Sequence, residues 1–222
     1  MSDTVLTRRQ ASDAVTGLGW RLVLGELQAV VPVAAPAQGV DVAARAVAAA
    51  GPGDDRHLHL DLRADRVLLT VRRPGSRPAA AETALAARVS AALVEAGYTI
   101  DAAAGPERAV QALEIAIDAL DIAAVRPFWQ AVLGYVPEPD GSLADPYGQG
   151  PAVWFQQLDA PRPQRNRIHL DVSVPHDEAD RRVAAALAAG GRIVFDGEMP
   201  AFRVLADAEG NEACVTTWQG RD

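Results

Sequence analysis

Four histidines, one cysteine and several carboxylates are the residues of this 222-residue sequence whose chemistry could serve catalysis. His57 and His59 lie in a strictly alternating segment, residues 57–62, so in a strand both side chains would leave the same face. Imidazoles act as acid and base near neutral pH, and two on one face could share a catalytic pocket. The competing interpretation is a half-solvated sheet face without chemistry.

Aromatic side chains are the second feature, because nine of the eleven rings follow residue 107. Neighbouring residues of a helix or strand point in different directions, so Phe128 with Trp129, and Trp154 with Phe155, leave several rings to line a cavity. Ring-lined clefts with a few polar groups are typical of small-molecule sites. A dimer interface would explain the same rings.

The elements that must position His57 and His59 follow an αββαββα order over residues 1–97. Periodicity and turn residues predict helices at 4–18, 40–50 and 79–96 and strands at 20–24, 27–33, 57–62 and 66–72. Gly25-Glu26 is predicted to be the two-residue connection of the first hairpin. The segment 98–107 contains Gly105-Pro106, which breaks both periodicities, and is predicted to be a linker.

Residues 108–222 contain an internal duplication. At an offset of 57 residues Leu113 falls on Leu170, Ile115 on Val172, Ile117 on Val174 and Gly134 on Gly191. Each copy reads as a strand, a helix and several further strands. The sequence therefore predicts an α+β protein with a paired βαβββ domain in its second half.

Composition excludes several classes of function. The formal net charge is -8, and the sequence has no lysine, which argues against nucleic-acid binding. No stretch approaches the roughly 18 apolar residues of a membrane span. Met1–Gln10 has no apolar signal core, and Cys214 has no second cysteine to pair with. We expect a cytoplasmic protein.

The second half resembles the glyoxalase-like branch of the vicinal oxygen chelate superfamily, over residues 108–219. The resemblance rests on the run from Arg165 to Val172 and on Asp207-Ala208-Glu209-Gly210-Asn211-Glu212, in which Ala208 replaces the usual proline. It implies two βαβββ modules that curl into an open barrel around a cavity. Members include isomerases, dioxygenases and drug-binding resistance proteins.

The same resemblance implies four metal positions, on the first and last strands of each module. His169 and Glu212 match two of them, but the offset of 57 projects them onto Ala112 and Phe155, which cannot coordinate an ion. Glu114 or Gln156 would have to compensate. We therefore expect no functional metal. His169 and Glu212 could instead form an acid–base pair or contact a ligand, with Cys214 as a buried apolar filler.

The first half resembles a pterin-4a-carbinolamine dehydratase domain, through Gly19-Trp20-Arg21-Leu22, the hairpin and the element order. The resemblance implies a His-His-Pro triplet and a third histidine beyond the next strand. Arg56-His57-Leu58 stands at the triplet and Pro74 at the third histidine, with His59 one register away. We expect this domain to have lost most of its ancestral activity.

Three hypotheses follow. The first is a metal-independent and cofactor-independent binding protein or lyase-type enzyme built on His169 and Glu212. The second is an active carbinolamine dehydratase that uses His57 and His59 on a pterin-like ligand. The third is a non-enzymatic module that sequesters a small molecule. Predicted ligand contacts are Glu114, Trp129, Trp154, Gln156 and Phe202. Both resemblances also imply a homodimer.

Overall fold

A computed structural model of the chain describes residues 4–73, 78–102, 110–162, 164 and 168–220. Pro74, the Gly105-Pro106 pair and Arg165-Asn166-Arg167 lie outside the described residues. The chain divides into two compact units, Met1–Ala112 and Leu113–Asp222. Each unit is described separately below.

The first unit packs helices against a four-stranded antiparallel sheet. Its strands lie in the order β1-β2-β4-β3. A short 3-10 helix, Asp55–His57, precedes β3. In chain order the elements are α1 (Arg8–Thr16), β1 (Arg21–Val23), β2 (Glu26–Pro32), α2 (Pro36–Ala50), β3 (Leu58–Leu62), β4 (Arg66–Val71) and α3 (Ala80–Glu95).

Local residue chemistry explains the ends of several of these elements. Thr7 and Gln10 form a reciprocal capping box at the start of α1. The first hairpin turns at Leu24 and Gly25, both with positive φ (49° and 82°), as a type I′ connection requires. The predicted Gly25-Glu26 turn is therefore one residue too late, because Glu26 already pairs with Val23 in the sheet.

The core of the first unit lies between the sheet and its helices. Trp20, Leu27, Leu69, Leu85 and Leu93 are almost fully buried there. The indole Nε1 of Trp20 donates to Ser90 Oγ at 2.8 Å, so the buried ring leaves no polar atom unpaired.

Residues 98–102 belong to the first unit rather than to a linker. Asp101 N donates to Val30 O and Ala102 N donates to Gly19 O, both at 2.9 Å. Tyr98 Oη also donates to Asp41 Oδ2 at 2.8 Å. The first half of the predicted linker is thus attached to the unit by hydrogen bonds, and residues 103–109 lie outside the described part of the chain.

The second unit consists of two modules with the same topology. The sheets run in the orders β5-β8-β7-β6 and β9-β12-β11-β10, and in each the first and last strands are parallel neighbours. The first module contains β5 (Glu114–Ala119), α4 (Ile122–Leu133), β6 (Val136–Pro137), β7 (Leu143–Ala144) and β8 (Ala152–Gln157). The second contains β9 (Leu170–Ser173), α5 (Ala179–Ala188), β10 (Arg192–Phe195), β11 (Phe202–Ala206) and β12 (Glu212–Thr216).

One apolar core serves both modules. It joins Ile117, Phe128 and Val153 of the first module to Leu205 and Val215 of the second. The helices α4 and α5 pack on each other over this core. No helix in the described ranges is both long enough and apolar enough to cross a membrane.

Candidate functional site

The second module turns one face of its sheet away from the helices. Leu170, Leu205, Ala213 and Val215 point into the core, so strand alternation sends their neighbours to the opposite side. We call that side the outer face. It comprises Asp171 and Ser173 of β9, Cys214 and Thr216 of β12, Phe202 and Val204 of β11, Phe195 of β10, and His169 just before β9.

His169 is the centre of the polar part of the outer face. Its Nδ1 lies 3.0 Å from Asp171 Oδ1 and 3.7 Å from Cys214 Sγ. The register explains this convergence, because Asp171 is the partner of Cys214 and His169 is two residues before Asp171. The side chains of His169 and Asp171 are 50% and 59% exposed, so solvent reaches the pair. Within the described residues no hydrogen bond engages His169 Nε2.

In the structure, the hydrogen-bond partner of His169 differs from the one that the sequence predicts. Glu212 and His169 each precede the register pair Ala213–Leu170 by one residue, so their backbones are neighbours as predicted. The imidazole nevertheless bonds to Asp171, two residues further along the chain, rather than to Glu212. A sequence signal for this pair was present, since residues two apart on a strand share a face.

The remaining residues of the outer face divide it into a polar and an apolar half. Ser173 Oγ and Thr216 Oγ1 are 2.9 Å apart, two residues further along β9 and β12 than Asp171 and Cys214. On the far strands the rings of Phe195 and Phe202 lie 5.9 Å apart, and Phe195 is 44% exposed. A ring pair is thus presented on the same sheet face as a solvent-accessible imidazole.

The two modules correspond by a shift of 55 residues in their first strands, not 57. Ile115 and Leu170 both pack on the shared core, and each pairs with a buried residue of the last strand, Val153 and Ala213 respectively. Leu113, the partner of Leu170 at an offset of 57, is 65% exposed. Burial and strand register therefore give an offset of 55 residues between the first strands of the two modules.

The corrected register changes the counterparts of the candidate pair in the first module. Glu114 corresponds to His169 and Ala152 corresponds to Glu212, since each precedes the equivalent register pair by one residue. The earlier assignments, Ala112 and Phe155, are therefore wrong. Phe155 instead packs against the core from β8.

Three predicted ligand residues lie together on the first sheet. Glu114 on β5 and Trp154 and Gln156 on β8 share the side opposite the core, by strand alternation. Trp154 is 38% exposed. These positions are compatible with ligand contact.

Trp129 is not available to line a cavity. It is 3% exposed, and Phe128 beside it is fully buried, with the two rings in a T-shaped contact at 5.5 Å. The expectation that one of these two adjacent rings would be left to line a cavity is wrong, because α4 is covered on two sides, by its sheet and by α5. Trp129 Nε1 donates to Asp207 Oδ2 at 3.0 Å, which gives the indole a structural role.

The acidic turn before β12 joins the two modules. The fully buried carboxylate of Asp207 accepts from Trp129 in α4 and from Glu209 N, Asn211 N and Asn211 Nδ2 in its own turn. Glu209 accepts from Leu120 N and Asp121 N at 2.9 and 2.6 Å, directly before α4. The Asp-Ala-Glu-Gly-Asn turn therefore holds the two modules together.

The two histidines of the first unit do not share a strand. His57 ends the 3-10 helix and β3 begins at Leu58, one residue later than predicted, so the shared face of His57 and His59 stays a prediction. His57 Nε2 accepts from Arg56 Nε at 3.1 Å, which leaves its Nδ1–H to donate to Arg72 O at 3.2 Å. For His59, desolvation and then the positive charge of Arg72 lower the pKa of the imidazole.

A cleft of about 600 Å³ lies on the helical side of the second unit, between α4 and α5. Gln130, Tyr135, Arg181 and Arg182 are among the residues that line it. Glu178 already pairs with both arginines. The cleft therefore lies on the opposite side of the sheet from the outer face, and none of the outer-face residues lines it.

Comparisons with known proteins concern the second unit. Residues 114–216 match the family model described as a glyoxalase-like domain. Comparison with curated proteins finds no match. The second unit is thus a glyoxalase-like domain of the vicinal oxygen chelate type.

Several solved structures resemble the same part of the chain. A glyoxalase/bleomycin resistance protein/dioxygenase family enzyme from Burkholderia phytofirmans PsJN is 20% identical, with 47% of this chain and 95% of that one covered at a TM-score of 0.40. A glyoxalase-related enzyme from Fulvimarina pelagi is 16% identical, with 48% and 87% covered at 0.39. The fosfomycin resistance protein FosX from Mesorhizobium loti is 10% identical, with 47% and 88% covered at 0.39.

Proposed function

We propose that the second unit binds a small organic molecule on the outer face of its second module. The observation that carries the proposal is the hydrogen bond between His169 and Asp171, which fixes a solvent-accessible imidazole on the same sheet face as a partly exposed ring pair. An oriented imidazole with one engaged nitrogen is a specific polar contact, and the rings supply apolar contact area.

The distribution of groups defines the chemical class of the ligand. Phe195 and Phe202 favour a planar or aromatic part, and His169 Nε2 requires a hydrogen-bonding group on the other side. Ser173 and Thr216 offer two further hydroxyl groups. We therefore propose an aromatic or pterin-like molecule that carries a polar substituent.

The same geometry supports lyase-type chemistry in the metal-free protein. When Nδ1–H donates to the Asp171 carboxylate, Nε2 is an acceptor and can take a proton from a bound molecule. Asp171 would then orient the imidazole, which is the role that the sequence analysis assigns to Glu212.

Ligand-observed NMR with a library of aromatic acids, aromatic amides and pterins tests the proposal. We expect binders whose affinity falls about tenfold in His169→Ala, because a hydrogen bond of about 1.4 kcal/mol is lost. Phe202→Ala should weaken the same binders, whereas His59→Ala, which removes an imidazole from the other unit, should not. Binders that tolerate both His169→Ala and Phe202→Ala would refute this location.

Carbinolamine dehydration by the first unit is the less supported alternative. The reaction needs an acid and a base that converge on the substrate, and both ring nitrogens of His57 are already bonded within the unit. His59 alone would have to supply both functions. We therefore place the proposed function in the second unit.

A further inference from the structure

The cleft between α4 and α5 has the size and the lining of a small-molecule site. Its volume of about 600 Å³ lies within the range of roughly 300 to 1,000 Å³ that ligand pockets occupy. Its apolar walls comprise Pro127, Ala131, Pro146, Ala185 and the rings of Tyr135 and Tyr147. None of these residues belongs to the outer face, so the cleft is separate from the proposed binding surface.

The polar part of the lining is cationic. Arg181 and Arg182 line the cleft, and no acidic residue in the described part of the chain does so. Glu178 accepts from the Nε and Nη2 groups of both arginines. Within the described ranges no hydrogen bond engages Arg181 Nη1, and Arg182 Nη1 donates only to the backbone carbonyl of Val132. Each guanidinium group therefore keeps N–H donors for a ligand.

Two polar side chains of the cleft are held in place by close packing against glycines. The Arg182 side chain is 18% exposed, and its guanidinium lies where a Cβ on Gly134 would be 2.7 Å away. Tyr135 Oη lies against Gly150, where any Cβ would overlap it. Burial, followed by the charge of Asp145, raises the pKa of the Tyr135 phenol, so the hydroxyl stays a donor at neutral pH. The Asp145 carboxylate itself accepts from three backbone N–H groups of its own loop. A cation and a hydroxyl donor are thus positioned before a ligand arrives.

We propose that the cleft binds a small phosphate monoester whose phosphate is attached to a flat aromatic ring. Planar guanidinium groups match the oxygens of a phosphate, and Glu178 offsets only one of the two positive charges of Arg181 and Arg182. A phosphate monoester carries about -1.5 to -2 charges at neutral pH, which suits a pair of cations better than a monoanion does. Tyr135 and Tyr147, the latter 86% exposed, supply contacts for the ring. This site is additional to the proposed function and does not depend on it.

Titration of the isotope-labelled protein with 2-naphthyl phosphate, followed through backbone amide chemical shifts, tests the proposal. The measurement is made at about pH 7.5, where the phosphate is mostly a dianion. We expect the shifts to concentrate in α4 and α5. Binding should be at least about tenfold tighter than that of 2-naphthol, which has the ring without the charge, and than that of inorganic phosphate, which has the charge without the ring.

Arg181→Gln should weaken the binding of 2-naphthyl phosphate about tenfold, because a charge-assisted pair with the phosphate is lost. The Arg181 side chain is 77% exposed, so the variant should fold normally, which circular dichroism checks. Arg9→Gln is the matched control. Arg9 is also an exposed helical arginine paired with a carboxylate, that of Asp13, but it lies in α1 of the first unit, so its replacement should leave the affinity unchanged.

Glu178→Gln should change the affinity in the opposite direction. The hydrogen bond from Arg181 lowers the pKa of Glu178, so its carboxylate is charged at neutral pH and competes with the phosphate for both guanidinium groups. Without that charge, 2-naphthyl phosphate should bind roughly threefold more tightly, whereas the binding of neutral 2-naphthol should not change.

Four results would overturn the phosphate site. They are no detectable binding of 2-naphthyl phosphate, equal affinities for 2-naphthyl phosphate and 2-naphthol, equal affinities of Arg181→Gln and Arg9→Gln, and weaker binding in Glu178→Gln. Binding that is lost in His169→Ala or Phe202→Ala but kept in Arg181→Gln would likewise refute the cleft, and it would place the probe on the outer face. Failure of the ligand screen for the outer face leaves the phosphate site standing, because neither His169 nor Phe202 lines the cleft.

Discussion

Asp207 shows how a motif that resembles a functional signature can be structural. Its carboxylate is fully buried and accepts four hydrogen bonds, one of them from the indole of Trp129 in the other module. A buried charge is tolerated only when such partners satisfy it. The acidic turn therefore links the two modules and is not part of the candidate site.

Replacement of Asp207 by asparagine should destabilise the second unit. The new amide group can still accept from the turn on one atom, but its NH₂ would face the N–H groups of Trp129 and Asn211. We expect a loss of about 2 to 4 kcal/mol in the free energy of unfolding, measured by chemical denaturation.

Trp129→Phe should cost less, about 1 to 2 kcal/mol, because three donors to Asp207 remain. Asp159→Asn, at an exposed position, is the matched control and should change stability little. Equal stabilities of Asp207→Asn and Asp159→Asn would contradict the structural role of the buried carboxylate.

The candidate site was only partly predictable from single residues. His169 was identified because its strand fits a family pattern, but its true partner lies two positions further along the same strand. Whether a histidine turns toward Asp171 or Glu212 depends on side-chain rotamers, which no sequence spacing specifies. The proximity of the Cys214 thiol to His169 was also not predictable, because it depends on the pairing of β9 with β12.

The first unit should show little or no carbinolamine dehydration. Both ring nitrogens of His57 have partners, and Arg56 and Leu58 stand where the resemblance requires histidine and proline. In a stopped-flow assay on a 4a-hydroxy pterin, the rate should stay near the uncatalysed rate in the wild type and in His57→Ala. A substantial wild-type rate that collapses in His57→Ala would reverse our ranking of the two units.

At the scale of elements, patterns predicted strands and helices better than their register. The predicted helix 40–50 extends back to Pro36, which suits the first turn of a helix because it needs no N–H donor there. The hairpin turn and the repeat offset were misplaced by one and two residues respectively. Such shifts leave most of the apolar pattern intact, so only pairing and burial in the folded sheet can reveal them.

Gly134 illustrates an element boundary that only glycine fits. It ends α4 with φ 72°, and an added Cβ would lie 2.7 Å from the Arg182 guanidinium, which donates to Val132 O. Gly134→Ala should therefore lower the free energy of unfolding by about 1 to 2 kcal/mol.

Gly17 supplies the matched control. It ends α1 with φ -69° and has no atom within 4 Å of an added Cβ, so Gly17→Ala should be neutral or stabilise by up to about 1 kcal/mol. Thermal unfolding of the two variants measures the difference. Similar melting temperatures for both would contradict the assigned cap geometry.

At the scale of the whole molecule, the family match lies entirely within the second unit. The match covers residues 114–216, and the dehydratase resemblance of residues 1–97 stays a prediction. The homodimer implied by both resemblances is also a prediction. A molar mass from light scattering that equals one chain would refute it.

Limited proteolysis should separate the two units at a site later than the sequence alone suggested. Residues 98–102 are hydrogen-bonded within the first unit, so cleavage at the predicted linker should fall after Ala102. Trypsin is suitable because the chain has no lysine and Arg108 follows the Gly105-Pro106 break. We expect early fragments that end at Arg108, identified by mass spectrometry, and their loss in Arg108→Gln. First cleavage within residues 4–102 or 110–220, with Arg108 intact, would contradict separate folding of the two halves.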